Sequence, residues 1–277
     1  CLIFLVTGIS GCGYFVANAK QEFAEDLATT IMEFDDPETI QKGLPAYLIL
    51  ISSMIKGDPD NPDILESGAR LYGAYASSFT DSTDSKKALA SRAFNYSGRA
   101  MCIRNNAFCE VENISYFEFE KRLETVEKSQ IESLFIYVSS WASVIEANSA
   151  DWNMVAELPK VKAGLQQVLD TDEAVSNGNA HVYMAVMESL LPATLGGKPE
   201  MAKKHFDRAI EISRGTNLMA KVLYAEKYAR LVFDRELHDS LLQQVVNADA
   251  GSEDQILINT LARQKAAWLL QDADDYF

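Results

Sequence analysis

Residues 196–217, "GGKPEMAKKHFDRAIEISRGTN", read as a single helix held between two turn clusters, "GGKPE" and "SRGTN". Ala202, Phe206 and Ala209 fall at spacings of four and three, so they share one helical face. The small residues on that face let another helix approach closely, and the aromatic fills the gap that remains. Such a face presupposes a partner helix. Outward from this stretch the same three-and-four periodicity runs through nearly the whole chain, and strand-like alternation is scarce. The chain reads as all-α. Its breaks are clusters of turn residues: "DDPET" at 35–39, "KGDPDNPD" at 56–63, "TDSTDSKK" at 80–87, "ANSADW" at 147–152, "SNGN" at 176–179 and "ADAGSED" at 248–254. Asp36-Pro37-Glu38 reads as a helix start with Asp36 at the N-cap, and Asp63 is expected to cap the helix that follows.

The helices fall into pairs. The spacing of Ala202, Phe206 and Ala209 is that of the second helix of a tetratricopeptide repeat. Leu65, Gly68, Ala69 and Tyr72 match the first-helix spacing, answered after a long loop by Ala93, Ser97 and Ala100. Val138, Trp141, Ala142 and Ile145 match it again, with Val161, Leu165 and Val168 as partners. Val222, Ala225, Glu226 and Ala229 fit more loosely, facing Leu237, Leu241 and Val245. The expected architecture is a degenerate tetratricopeptide-like helix-pair solenoid, with helices over 17–34 and 255–270 capping the stack. Tyr72, Trp141 and Phe206 belong to its core; the exposure of Tyr137, Tyr183 and Tyr228 stays open.

Residues 1–9 are apolar but only about half of the ~20 residues that a membrane-spanning helix needs. Ile9-Ser10-Gly11-Cys12 resembles a bacterial lipobox, so 1–11 are expected to be a signal-peptide remnant, with Cys12 lipidated at the head of a single domain over 12–277. The alternative is a buried N-terminal helix with an incidental cysteine. A formal net charge of −15 argues against nucleic acid and against electrostatic docking on anionic lipid. Cys102 and Cys109 either form a local disulfide or stand as two thiols at a helix end and in the loop after it.

No nucleophile elbow, phosphate loop, dinucleotide fingerprint or zinc-protease motif occurs. "DPDNPD" lacks the central glycine and distal glutamate of a calcium loop. His181, His205 and His238 show no metal or triad spacing, and His205 and His238 read as solvated. No metal, cofactor or catalytic residue is therefore expected. A binding surface is easier to place. The concave side of the solenoid would receive Glu66 and Arg70, then Ser139, Ser143 and Glu146, then Lys227 and Arg230. In so acidic a chain, Arg70, Lys227 and Arg230 either hold a carboxylate of a ligand or partner, or pair with nearby acids.

"DDPETIQKGLPAYLILISSMI", "NPDILESGARLYGAYASSF", "LPKVKAGLQQVLDTDE", "GGKPEMAKKHFDRAIEISRGTNLMAKVLYAEKYA" and the closing "LARQKAAWLLQDADDYF" together resemble the T-component of tripartite ATP-independent periplasmic (TRAP) transporters. The resemblance covers most of the chain after residue 11. Phe135-Ile136-Tyr137 departs from the Leu-Tyr-Trp-like run expected there. The resemblance implies a periplasm-facing lipoprotein that forms a ring-like homotrimer; Gly13 after Cys12, in place of the aspartate of an inner-membrane retention signal, points to the outer membrane. The protein would associate with the solute-binding P-component and help pass a hydrophobic or carboxylate solute. The competing reading is a scaffold lipoprotein for outer-membrane assembly that handles no solute.

Overall fold

Asp36 starts the first helix as its neighbours require: Pro37 presets the helical φ, and the Asp36 carboxylate accepts the Glu38 N–H at 3.0 Å. This helix, α1, spans Pro37–Gly57 in a computed structural model that describes residues 23, 26, 27, 29–80, 82–111, 114–249 and 255–277. The leader expected at 1–11, Cys12 and half of the opening helix at 17–34 lie outside the described residues.

α2 spans Pro62–Ser78, and its cap is Asn61 rather than Asp63. The Asn61 side-chain oxygen accepts the N–H groups of Asp63 and Ile64 at 3.1 and 3.2 Å. The proline decides this. Pro62 is preorganised for the first helical position, so the cap falls one residue before it, and Asp63 is left in the first turn. α3, Thr83–Arg104, is capped by Ser82, which shortens the expected long loop to residues 79–82. The Ser, Thr and Asp residues of "TDSTDSKK" that suggested a turn are also those that start helices.

α4 (Tyr116–Leu123) opens with a capping box between Ser115 and Glu118. α5 is Ile131–Ala147, and a single turn at Trp152–Val155 leads to α6, Leu158–Asp172. In α7 (Val175–Glu188) Ser176, Asn177 and Gly178 hold left-handed backbone, so the regular helix begins after the expected "SNGN" turn. α8 is Pro199–Ile212 and α9 is Leu218–Leu223. α9 continues into a π-helical segment, Tyr224–Ala229. α10 (Arg235–Val246) and α11 (Ile256–Gln271) follow, with a last single turn at Ala273–Tyr276, and no strand occurs among the described residues.

The pairs expected from spacing are present: α2 packs on α3, α5 on α6, and α9 with its π-helical extension on α10. Leu65, Ala69, Tyr72, Ala93, Ser97 and Ala100 are buried, as are Val138, Trp141, Ala142, Ile145 and their partners Val161, Leu165 and Val168. Ala202, Phe206 and Ala209 are fully buried against α7, the first helix of this pair, which spacing did not single out. Phe206 stacks on Tyr224 of the following pair, with ring centroids 4.9 Å apart, so it bridges neighbours as expected of the aromatic. Two apolar clusters result. A large one runs from α3 to α11, and a smaller one gathers α1, α2 and α3. α11 packs on α9 and α10, and its Leu257 belongs to the smaller cluster, where it meets α1.

Small residues set the tightest approaches. A Cβ at Gly164 would stand 2.5 Å from Val138 Cγ1, with the Phe119 ring behind it. Val138 is β-branched and fully buried, so it has little room to rotate away. Gly164→Ala is therefore expected to lower unfolding free energy by about 1–2 kcal/mol despite alanine's better helix propensity. Urea titration measures this directly, and an unchanged or higher midpoint would mean that α5 and α6 are not in this contact.

Candidate functional site

The loosest match in the repeat spacing marks the most unusual chemistry. Glu226 occupies a position where a small packing residue is expected, and it sits in the π-helical segment Tyr224–Ala229. There the Arg230 N–H reaches back five residues to the Ala225 carbonyl, at 3.2 Å, instead of four. The wider turn carries two consecutive charged residues, Glu226 and Lys227, into one network; such turns recur at functional sites. Lys227 Nζ lies 3.3 Å from Glu146 of α5 and 3.8 Å from Glu226. Lys265 of α11 bonds Glu226 at 2.8 Å. Two cations and two carboxylates from three separate parts of the fold thus neutralise one another.

Burial opposes charge here and loses. It works against the Lys227 ammonium, but Glu226 and Glu146 outweigh it and hold the group above the usual lysine range. Burial would likewise raise Glu226, but Lys227 and Lys265 keep it below the usual carboxylate range. Tyr183 of α7 is half-buried, its ring 5.8 Å from Phe135. Burial pushes its phenol up, partly offset by a hydrogen bond with Ser143. The other two tyrosines whose exposure was open, Tyr137 and Tyr228, are buried.

The structure separates the remaining candidates. Arg70 pairs with Glu132 of α5 at 2.5 Å on an exposed surface. Glu66 accepts from Arg104 at 2.7 Å, and Asp63 takes a second bond from the same guanidinium. Arg230 lines no open face: it is 9% exposed, bonded to Asp272 at 2.7 Å, and its guanidinium carbon lies 4.4 Å from the Tyr276 ring centroid. Glu146 and Lys227 come together as an ion pair, and Ser143 Oγ donates to the Ser139 carbonyl at 3.0 Å. Cys102 and Cys109 are joined as a disulfide that ties the end of α3 to the loop after it.

Two histidines depart from the solvated reading. His238 is fully buried, accepts from Arg230 Nε at 3.3 Å through Nε2, and donates from Nδ1 to Asp239 at 2.8 Å. His205 is half-buried, its Nδ1 2.8 Å from Nδ1 of the buried His181. His181 Nε2 faces Glu173 at 3.4 Å, and Arg208 clasps that carboxylate, which is lowered to about 2 by Arg208 first and His181 second. The two imidazoles lie 24 positions apart, and no local spacing announces them. Glu226 did carry a signal, as an acid in a packing position. Among the described residues no group of three or more His, Cys, Asp or Glu side chains is placed to hold a metal ion.

The family model for the TRAP transporter T-component matches residues 33–277, and the chain belongs to that family. It is thus an accessory component of TRAP transport, associated with the components of such a transporter. No curated protein matches the chain. Among the described residues no helix is long and apolar enough to cross a membrane.

The histidine pair predicts a pH response. Burial first, and the neighbouring His181 second, push His205 down to about 4, while an unfolded histidine titrates near 6.5. Between these values the unfolded chain binds the extra proton, so stability rises with pH across this window and is lost as pH falls from 6.5 towards 4. The loss is expected to be on the order of 2 kcal/mol. His205→Gln should flatten the denaturation midpoint across that window; an equally steep profile in the variant would assign the pH response elsewhere.

Proposed function

We propose that this chain is a periplasm-facing lipoprotein that docks the solute-binding P-component of a TRAP transporter and helps pass it a hydrophobic or carboxylate solute. The membership of the T-component family supports this reading. In it, the helix pairs stack as degenerate tetratricopeptide-like repeats, three copies assemble into a ring, and a lipid on Cys12 holds the chain at the outer membrane. Each additional buried methylene of such an anchor adds ~0.8 kcal/mol, so multiple acyl chains hold where one does not.

The observation that carries the docking site is the Lys227–Glu146 pair. At 3.3 Å it is looser than the 2.8 Å Lys265–Glu226 bond, so Glu146 is the acid of the network that an incoming carboxylate most readily replaces. Arg70 and Glu66, each with its own partner, serve as outlying contacts in this reading.

Crosslinking the protein in its native envelope, followed by mass spectrometry, is expected to recover a TRAP-type solute-binding protein. Lys227→Gln should cut that recovery about tenfold, equivalent to about 1.4 kcal/mol. Recovery of outer-membrane assembly factors alone would replace the docking role with a scaffold role. Equal recovery by the variant would move the docking site off Lys227. The anchor has its own test: Cys12→Ala should release the protein from membranes and remove the acyl mass, and retention of both would refute lipidation.

A further inference from the structure

Two imidazoles meet edge to edge where α8 packs on α7. His181 of α7 is 8% exposed, and His205 of α8 is half-buried next to the exposed Lys204. Their Nδ1 atoms lie 2.8 Å apart and their ring centroids 5.1 Å apart, so the rings point at each other rather than stack. Such a bond uses one N–H and one lone pair. Which ring gives which follows from the far side of His181. Its Nε2 faces the Glu173 carboxylate at 3.4 Å, and an ionised carboxylate only accepts, so the His181 proton sits on Nε2. Arg208 Nε holds the same carboxylate oxygen at 3.1 Å. The Nδ1 lone pair of His181 is thereby aimed across the helix interface, and His205 Nδ1 supplies the proton between the rings.

A metal-ligating histidine is built in this way, with a carboxylate holding the second ring N–H and setting the tautomer. A metal ion would take the place of the shared proton. Two nitrogens each ~2.0–2.1 Å from a tetrahedral zinc ion lie ~3.3 Å apart, so the rings need to part by only ~0.5 Å at their tips. His205, half-buried, has room for that move, and its displaced proton passes to its own Nε2, which leaves both rings neutral.

Glu188 points to the same place independently. It is 6% exposed, and its Oε2 is buried with no hydrogen-bond partner among the described residues. Its other oxygen is held by Lys162 of α6, and the carboxylate is close enough to His205 to act on the charge of that ring. A water bound to the ion would give Oε2 the donor it lacks. The two cations that face the pair, Arg208 and Lys162, are each neutralised by one of these acids, so they do not repel an ion. No third His, Cys, Asp or Glu completes a ligand set among the described residues, so water fills the remaining positions. Imidazole nitrogens favour Zn²⁺ and Cu²⁺ over Mg²⁺.

We propose that His181 and His205 form a two-histidine site for a divalent transition-metal ion such as Zn²⁺, bridging α7 and α8. This goes beyond the docking reading and does not depend on it.

Calorimetric titration of the full chain with ZnCl₂ tests the site. Saturable binding that disappears in His205→Gln is expected, and MgCl₂ at the same concentration should give none. A weakening of at least tenfold in His205→Gln is the threshold, and the substitution lies at a half-buried position, so a cooperative melt confirms that the variant is folded. Glu173→Gln should also weaken Zn²⁺ at least tenfold, because it frees the His181 ring to turn. The Cu²⁺-loaded protein should show electron paramagnetic resonance splitting from two imidazole nitrogens, a signature that a purely structural histidine pair does not produce. Cys12→Ala should bind Zn²⁺ as the wild type does, which separates the site from that thiol. The absence of saturable Zn²⁺ binding, unchanged affinity in His205→Gln, or loss of binding in Cys12→Ala would each overturn the proposal.

Discussion

α5 is buried around almost its whole circumference, and the helices that pack on it are placed by the need to cover it. Leu134, Phe135, Ile136, Tyr137 and Val138 are consecutive and all buried, so no face of this stretch is left to water. A helix apolar all round cannot stand at a surface. α3, α6 and α7 pack around it, and the aromatic side chains of three elements converge on Trp141. The pairwise architecture at either end follows from this middle. Each flanking helix brings one apolar stripe to the centre and must find a second helix for what remains.

The pairs were legible because their cause is local. Ala202, Phe206 and Ala209, or Leu65, Ala69 and Tyr72, declare a packing face within three turns of one helix. Who packs against that face is a different question, and α7 went unnoticed as the partner of α8 because its regular part follows three left-handed residues. The Asn61 cap was readable in principle, since Pro62 fixes the first helical position. What sequence spacing could not supply were meetings across long separations: His181 with His205, Arg230 with Asp272, Lys227 with Glu146. The π-helical segment is a further case. Its extra residue per turn shifts the register, which is why the Val222–Ala229 spacing fits a regular helix loosely and why Glu226 occupies a packing position without being a packing residue.

The acidic balance has a clear layout. Cations in the interior or between helices each meet carboxylates, as at Arg104, Lys227, Arg230 and Lys162. The surplus negative charge is therefore left outside, which favours solubility and repels anionic surfaces.

Leu257 gives the chain a clasp. In an open stack of helix pairs, each end contacts only its neighbour, and melting starts at either end and travels inward. Here the last long helix reaches the first one, so the smaller cluster loses a buried leucine whenever the C-terminal helix lets go. The two ends consequently share one fate. Such a protein resists fraying at its ends.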